Sequence, residues 1–189
     1  MSGARPLAVA GAWEFTPTVR ADERGSFAEV YAGVPFAEAV GGAFPLAQMN
    51  VSLSRRGTLR GLHYSVVPGG QAKYVTCTAG AVLDVVVDLR LGSDAFGTHD
   101  ALRLDDQLRN AAYLPAGLGH AFLALTGTAT VAYLCSSPYS PEHEFAITPF
   151  DAELALPWPA EAAPYVLSPR DAEAPTLAEA RAAGRLPRI

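Results

Sequence analysis

Short apolar runs punctuated by glycine, proline, aspartate and serine dominate the chain, and this is the pattern of an all-β protein. In "AVLDVVVDLR", Leu83, Val85, Val87 and Leu89 fall on one face at strand spacing, with Val82, Asp84, Val86 and Asp88 on the other. One face is therefore expected in the core and the other against water or a cavity. Similar runs are "AKYVTCT" (72–78), "NAAYLP" (110–115), "HAFLAL" (120–125) and "ATVAYLCS" (129–136). Residues 45–136 thus read as successive strands with tight turns, and the pattern alone fits a sandwich, a jelly roll or a barrel. Helix signals are few. Pro175 precedes Thr176 and Glu179 at capping-box spacing, and Gly184 can end that helix. "FAEAV" (36–40) is a second, shorter candidate, and the Ala- and Pro-rich stretch 151–175 reads as a partly irregular tail over the β core.

Composition narrows the class. The 189 residues, half of them hydrophobic and 17% charged, are expected to form a single domain, residues 1–189, with a proper core rather than a disordered chain. No apolar run approaches a membrane span, and the N-terminus lacks the basic start and apolar core of a secretory signal, so a cytoplasmic protein is expected. The net charge of −5 argues against nucleic acid as a partner, while leaving room for an anionic small ligand held by a few arginines. Cys77 and Cys135 stand singly in apolar runs and read as buried thiols, not as a disulfide or a zinc site.

Candidate chemistry centres on histidine. "PAGLGHAF" (115–122) has the P-x-G-x-x-H form of a cupin half-motif, in which a tight turn delivers a histidine to a barrel mouth. A metal-binding cupin also needs an H-x-H pair and a glutamate; here only His63 occupies the corresponding region, so no metal is expected. His99 is expected in a solvated turn and His143 in a loop. His63 and His120 lie close after glycines in β runs, where side chains can enter a cavity. Lys73 shares a strand face with Val75 and Cys77, and Tyr133 with Val131 and Cys135. Each is either a structural residue or part of a polar cavity. Converging, a histidine, a lysine and a tyrosine provide a base, a cation for an enolate oxygen and an acid, the set needed for proton abstraction beside a carbonyl.

The run "QMNVSLSRRGTLRGLHY…QAKYVTCTAGAVLDVVVDLRLGSDAFG", continued in order by "YLPAGLGHAFLAL", "VAYLCSSPYSPEHE" and "LSPRDAEAPTL", resembles the dTDP-4-dehydrorhamnose 3,5-epimerase family over about residues 5–187. The resemblance implies a jelly-roll (cupin-type) β-barrel, a homodimer, no metal or organic cofactor, and a dTDP-linked 4-keto-6-deoxyhexose substrate inverted beside its keto group. It places the catalytic base at His63, oriented by Asp171, the opposite-face acid at Tyr133 and the enolate-stabilising cation at Lys73, with His120 and Asp84 as a supporting pair. It puts nucleotide contacts at Arg24, Phe27 and Glu29, diphosphate and sugar contacts at Gln48, Asn50 and Arg60, the thymidine loop at Tyr139 and Glu144, with Tyr139 stacking on the base, and a phosphate contact at Arg170.

Two points stay open in the sequence. Arg60 and His63 are three residues apart and should face opposite sides of a regular strand. Either Gly61 marks a bulge or Arg60 serves a neighbouring site across a dimer. Double inversion at C3 and C5 is expected over 3- or 5-monoepimerisation of the kind used in antibiotic deoxysugar synthesis. A non-catalytic sugar-nucleotide-binding barrel and a metal-dependent cupin are the other readings.

Overall fold

The computed structural model describes residues 3–66 and 70–189. In chain order it contains β1 (Gly3–Pro6), β2 (Trp13–Thr16), β3 (Arg20–Asp22), β4 (Gly25–Phe27), α1 (Gly33–Val40), β5 (Gln48–Arg55), β6 (Leu59–Ser65), β7 (Lys73–Ala79), β8 (Ala81–Asp88), β9 (His99–Asp105), β10 (Ala111–Leu114), β11 (Leu118–Ala124), β12 (Thr128–Cys135), β13 (Glu144–Ala146), α2 (Pro169–Ala172) and α3 (Leu177–Ala182). One sheet has the order β1-β2-β10-β7-β12-β5, the other β13-β6-β11-β8-β9, and β3 and β4 form a separate hairpin. The named strand pairs are antiparallel. This is the jelly roll.

The main core lies where the sheets meet. Val75, Cys77 and Val131 of the six-stranded sheet pack with Val82, Val86, Leu104 and Phe122 of the five-stranded one. Two further layers sit outside. Leu62, Tyr64, Val85, Val87 and Leu89 pack beneath Leu154, Leu177, Ala180 and Leu186 of the C-terminal segment. Phe15, Tyr74 and Ala111 are covered by Phe36 of α1 and by Phe44. The "AVLDVVVDLR" strand therefore departs from expectation, because neither of its faces meets water. Its Leu83/Val85/Val87/Leu89 face packs under the C-terminal segment, and the face bearing Val82 and Val86 joins the main core. Asp88 on that inner face is buried and ion-paired with Arg90 at 2.7 Å.

The expected C-terminal helix forms with its capping box complete. Thr176 accepts from the Glu179 N–H, and the Glu179 carboxylate accepts from the Thr176 N–H, which satisfies two end donors at once. The 36–40 candidate is the second half of α1. Stretch 151–175 is the irregular cover anticipated, with one 3-10 turn and α2. His99 corrects its expectation, since it opens β9, paired with Val87, and is not in a turn.

β5 is built inside out. Its outward residues Met49, Val51 and Leu53 are apolar and 60–68% exposed. Gln48, Asn50, Ser52 and Ser54 alternate with them and are the more buried set. The inner wall of this edge strand is thus a polar row.

Candidate active site

The site grows from one irregularity in β6. In the β6–β11 ladder His63 pairs with His120 and Arg60 with Phe122, so β6 spends one residue more than its partner. That extra residue resets the alternation and turns Arg60 and His63 to the same side. Gly61 makes this possible. Its φ of +121° suits glycine, and a Cβ there would sit 2.6 Å from both the Ala121 Cβ and the His120 carbonyl oxygen. The bulge is therefore present, and Arg60 and His63 line the same cavity.

Asp171 reaches His63 from far along the chain. The strand start is tied to the C-terminal segment by Leu59 N–H donating to the Val166 carbonyl at 3.0 Å and Val166 N–H donating to the Gly57 carbonyl at 2.9 Å. "SPRD" then opens α2. Ser168 caps it, its hydroxyl accepting from the Asp171 N–H at 3.1 Å, with Pro169 at the first helical position. This sets the Asp171 carboxylate 2.6 Å from His63 Nε2, with its other oxygen accepting the Gly61 N–H at 3.4 Å. Burial pushes the Asp171 carboxyl up, but the hydrogen bond and charge of His63, the Gly61 N–H and Ser168 outweigh it and hold it below the usual carboxylate range. An ionised carboxylate only accepts, so Nε2 carries the hydrogen and Nδ1 is left as the free, basic nitrogen.

The cavity, about 460 Å³, is walled by both sheets. Arg60, His63, His120 and Phe122 come from the five-stranded sheet, and Ser52, Lys73 and Tyr133 from the six-stranded one, with Ser168, Arg170 and Asp171 at its border. Lys73 is the first residue of β7, so its ammonium enters the cavity from a strand end. Burial pushes the Tyr133 hydroxyl above its ordinary value, with Cys135 and Glu144 adding to the effect and Asn50 and Arg60 opposing it, so Tyr133 holds its proton at neutral pH. His120 is hydrogen-bonded through Nε2 to Asp84 at 2.7 Å. A second hollow of about 550 Å³ shares His63, Lys73, Tyr133 and Arg170 with the first, and adds Gln48, Asn50, Gln71, Tyr139 and Glu144. Together they form a continuous trough with its chemistry where the two hollows meet and an exposed tyrosine at one end.

The structure therefore gathers twelve of the fifteen predicted residues along or directly behind this trough: His63, Asp171, Tyr133, Lys73, Gln48, Asn50, Arg60, His120, Asp84, Tyr139, Glu144 and Arg170. Arg24, Phe27 and Glu29 are not among them. They lie on or just after the β3–β4 hairpin, all exposed, with Arg24 paired to Asp22 and the hairpin anchored by Arg109 donating to the Ser26 hydroxyl at 2.6 Å. Their expected place in the site is not met within one chain. Ser52, Gln71 and Ser168 were missed. A capping pattern marks Ser168 in the sequence, whereas nothing marks Ser52 or Gln71. Among the described residues no group of three or more His, Cys, Asp or Glu could hold a metal ion.

A histidine from one sheet, paired with a carboxylate from α2, faces a lysine and a protonated tyrosine from the other sheet, the arrangement of an isomerase of the epimerase class on a jelly-roll frame. The comparisons with known proteins specify the class. A family model described as dTDP-4-dehydrorhamnose 3,5-epimerase matches residues 6–179. The dTDP-4-dehydrorhamnose 3,5-epimerase of Mycolicibacterium smegmatis is 54% identical over 97% of this chain and 90% of its own length. The structure of a 4-keto-6-deoxy sugar epimerase from the novobiocin gene cluster of Streptomyces spheroides superposes with a TM-score of 0.96 at 52% identity, covering 99% of this chain and 93% of that one. A 3'-monoepimerase from Streptomyces bikiniensis, in complex with dTDP-quinovose, gives 0.93 at 49% identity over 97% and 92%. The chain belongs to the dTDP-4-dehydrorhamnose 3,5-epimerase family.

Proposed function

We propose that this protein inverts C3 and C5 of a dTDP-4-keto-6-deoxyhexose, converting dTDP-4-dehydro-6-deoxy-D-glucose to dTDP-4-dehydro-L-rhamnose. The observation that carries the reading is the opposition of His63, on one sheet and held by Asp171 of α2, to Lys73 and Tyr133 on the other sheet, across one cavity. His63 Nδ1 takes the proton α to the C4 ketone. The C–H electron pair becomes an enolate, whose oxygen the Lys73 ammonium stabilises. The Tyr133 O–H delivers a proton to the opposite face, which reverses the stereocentre. Nothing is oxidised or reduced, and exchange with solvent returns His63 and Tyr133 to their starting states. Arg60 and Arg170 flank the cavity as diphosphate contacts, where a planar fork bonds two oxygens together. Tyr139, half exposed at the far end of the trough, stacks on thymine beside Glu144.

A second reading, inversion at one carbon only, is favoured by the 53% identity to a dTDP-4-dehydrorhamnose 3-epimerase of Streptomyces niveus. NMR in D₂O with dTDP-4-keto-6-deoxyglucose separates the two. Label at both C3 and C5 supports double inversion, and label confined to one carbon supports the alternative. His63→Ala should reduce label entry by roughly 10³-fold or more, within the range that positioned bases contribute; retained exchange at both carbons removes His63 from its role.

The chain is also proposed to act as one domain and as a homodimer in the cytoplasm. The core shared by both sheets supports the first. The exposed apolar row Met49, Val51 and Leu53 supports the second, since it needs a cover. A partner copy would also give the hairpin residues Arg24, Phe27 and Glu29 a site to serve. Free thiols at Cys77 and Cys135 suit a reducing compartment.

A further inference from the structure

Three of the four polar residues on the inner face of β5 border the trough, and the fourth is set back from it. Gln48 and Asn50 line one hollow and Ser52 the other, whereas Ser54 is 2% exposed and stands in the wall of neither. A buried hydroxyl costs free energy unless it is hydrogen-bonded, and alanine would fill nearly the same space. The partner of the Ser54 hydroxyl is Arg60, whose Nε–H it accepts at 3.0 Å. The adjoining Leu53 carbonyl accepts from Arg60 Nη2 at 3.4 Å. β5 is the edge strand of the six-stranded sheet and β6 belongs to the five-stranded one, so both bonds cross from one sheet to the other.

The two acceptors hold one particular edge of the guanidinium. Nε–H and one Nη2–H lie side by side along the flank of the planar group, and fixing both fixes its plane. Nη1 and the second Nη2–H remain, and together they form the fork at the tip, spaced to bond two oxygens of a phosphate at once. Arg60 lines the cavity in which His63, Lys73 and Tyr133 meet. The extra residue in β6 sets the side of the strand from which Arg60 leaves. The contacts from β5 then set where its tip lies. An exposed arginine without such contacts samples many rotamers and has to be ordered when its ligand arrives, which weakens binding.

We infer that Ser54 is a positioning residue for Arg60: with the Leu53 carbonyl it clamps the flank of the guanidinium, so that the fork at the tip is set for the substrate's diphosphate before binding. The inference rests on the reading of Arg60 as a diphosphate contact.

Calorimetric titration with dTDP at one fixed ionic strength tests it, on wild type, Ser54→Ala, Arg60→Ala and the double variant. Ser54→Ala should weaken dTDP binding roughly 3- to 10-fold, the scale of ordering one long side chain on binding. Arg60→Ala should weaken it more, because the fork itself is gone. Adding Ser54→Ala to Arg60→Ala should cause no further loss, since the serine acts only through that guanidinium. With dTDP-4-keto-6-deoxyglucose as substrate, the loss in Ser54→Ala should appear in KM more than in kcat. A serine that merely packs between the sheets would lower the urea midpoint and leave the dTDP Kd where it was. The inference is overturned if Ser54→Ala binds dTDP as tightly as wild type, if its loss is the same with and without the Arg60 side chain, or if the loss falls on kcat alone. Failure of the parent reading is distinguishable, because Arg60→Ala alone would then bind dTDP with wild-type affinity.

Discussion

Two histidine–carboxylate pairs face each other in the β6–β11 ladder, and they are built in different ways. His120 and Asp84 sit on adjacent strands of one sheet, with side chains 10% and 0% exposed. One Asp84 oxygen holds the ring, and the other has no hydrogen-bond partner among the described residues. His63 is 28% exposed, and its carboxylate comes from α2, more than a hundred residues along the chain. Asp171 has both oxygens used and its backbone N–H capped by Ser168. The first pair is part of the sheet's interior. The second is assembled from separate elements around a ring that reaches the cavity. A base that must meet substrate needs access together with a fixed tautomer, and of the two carboxylate-held rings His63 has the greater access.

The comparison is tested most severely at the two carboxylates. Asp171→Asn places an amide NH₂ where an acceptor is needed. His63 then turns Nε2 into the acceptor and carries its hydrogen on Nδ1, the nitrogen required as base. Activity should fall by roughly 10³- to 10⁴-fold, as when the orienting aspartate of a catalytic triad is amidated. Asp84→Asn should cost about tenfold or less if His63 alone takes the substrate proton, as proposed, and His120 only lines the wall. Single-turnover rates of the two variants decide this; equal losses would mean that both pairs share the proton chemistry.

How much of this was legible follows from which rules hold locally. Lys73 and Tyr133 could be singled out because each is a polar side chain on an otherwise apolar β face, and His63 because it closely follows a glycine in a β run; the structure finds all three in one cavity. The helix at Thr176 was legible because capping is a local interaction with its own spacing. The joint placement of Arg60 and His63 was not, since strand alternation forbids it and only the ladder shows the extra residue. β5 misleads outright. Its apolar Met49, Val51 and Leu53 are the residues a pattern would bury, yet they face outward, and the polar row lines the trough. A strand whose polar face turns inward and whose apolar face turns outward inverts the usual sign, and periodicity alone carries no sign. The reach of Asp171 to His63 was available only through resemblance, since contacts across such a separation leave no local trace.

Stability should rank the pairs in the opposite order. Truncating Asp84 leaves His120, whose side chain is only 10% exposed, without its partner, and breaking a buried pair costs about 3 kcal/mol or more. Truncating Asp171 leaves a ring that water can reach, and the loss is expected near the lower end of the roughly 1.5–3 kcal/mol of a hydrogen bond to a charged group. Urea unfolding of Asp84→Ala and Asp171→Ala gives both values. Asp171→Ala proving the less stable protein would erase the distinction between a sheet-borne pair and an assembled one.

The smallest effect concerns acid. Because the Asp171 carboxyl is held below its ordinary value in the folded protein, its contribution to stability is complete above the unfolded carboxyl's value of about 3.9 and fades as pH falls through the lower native value. The values pH 5 and pH 3 lie on either side of the unfolded carboxyl's ordinary value. The gap in urea midpoint between wild type and Asp171→Asn should therefore be wider at pH 5 than at pH 3, by a few tenths of a molar at most for a difference near 1 kcal/mol and an ordinary denaturant slope. A gap that stays constant, or widens toward pH 3, would show that the His63 contact does not hold Asp171 ionised, and the assignment of Nδ1 as the basic nitrogen would lose its footing.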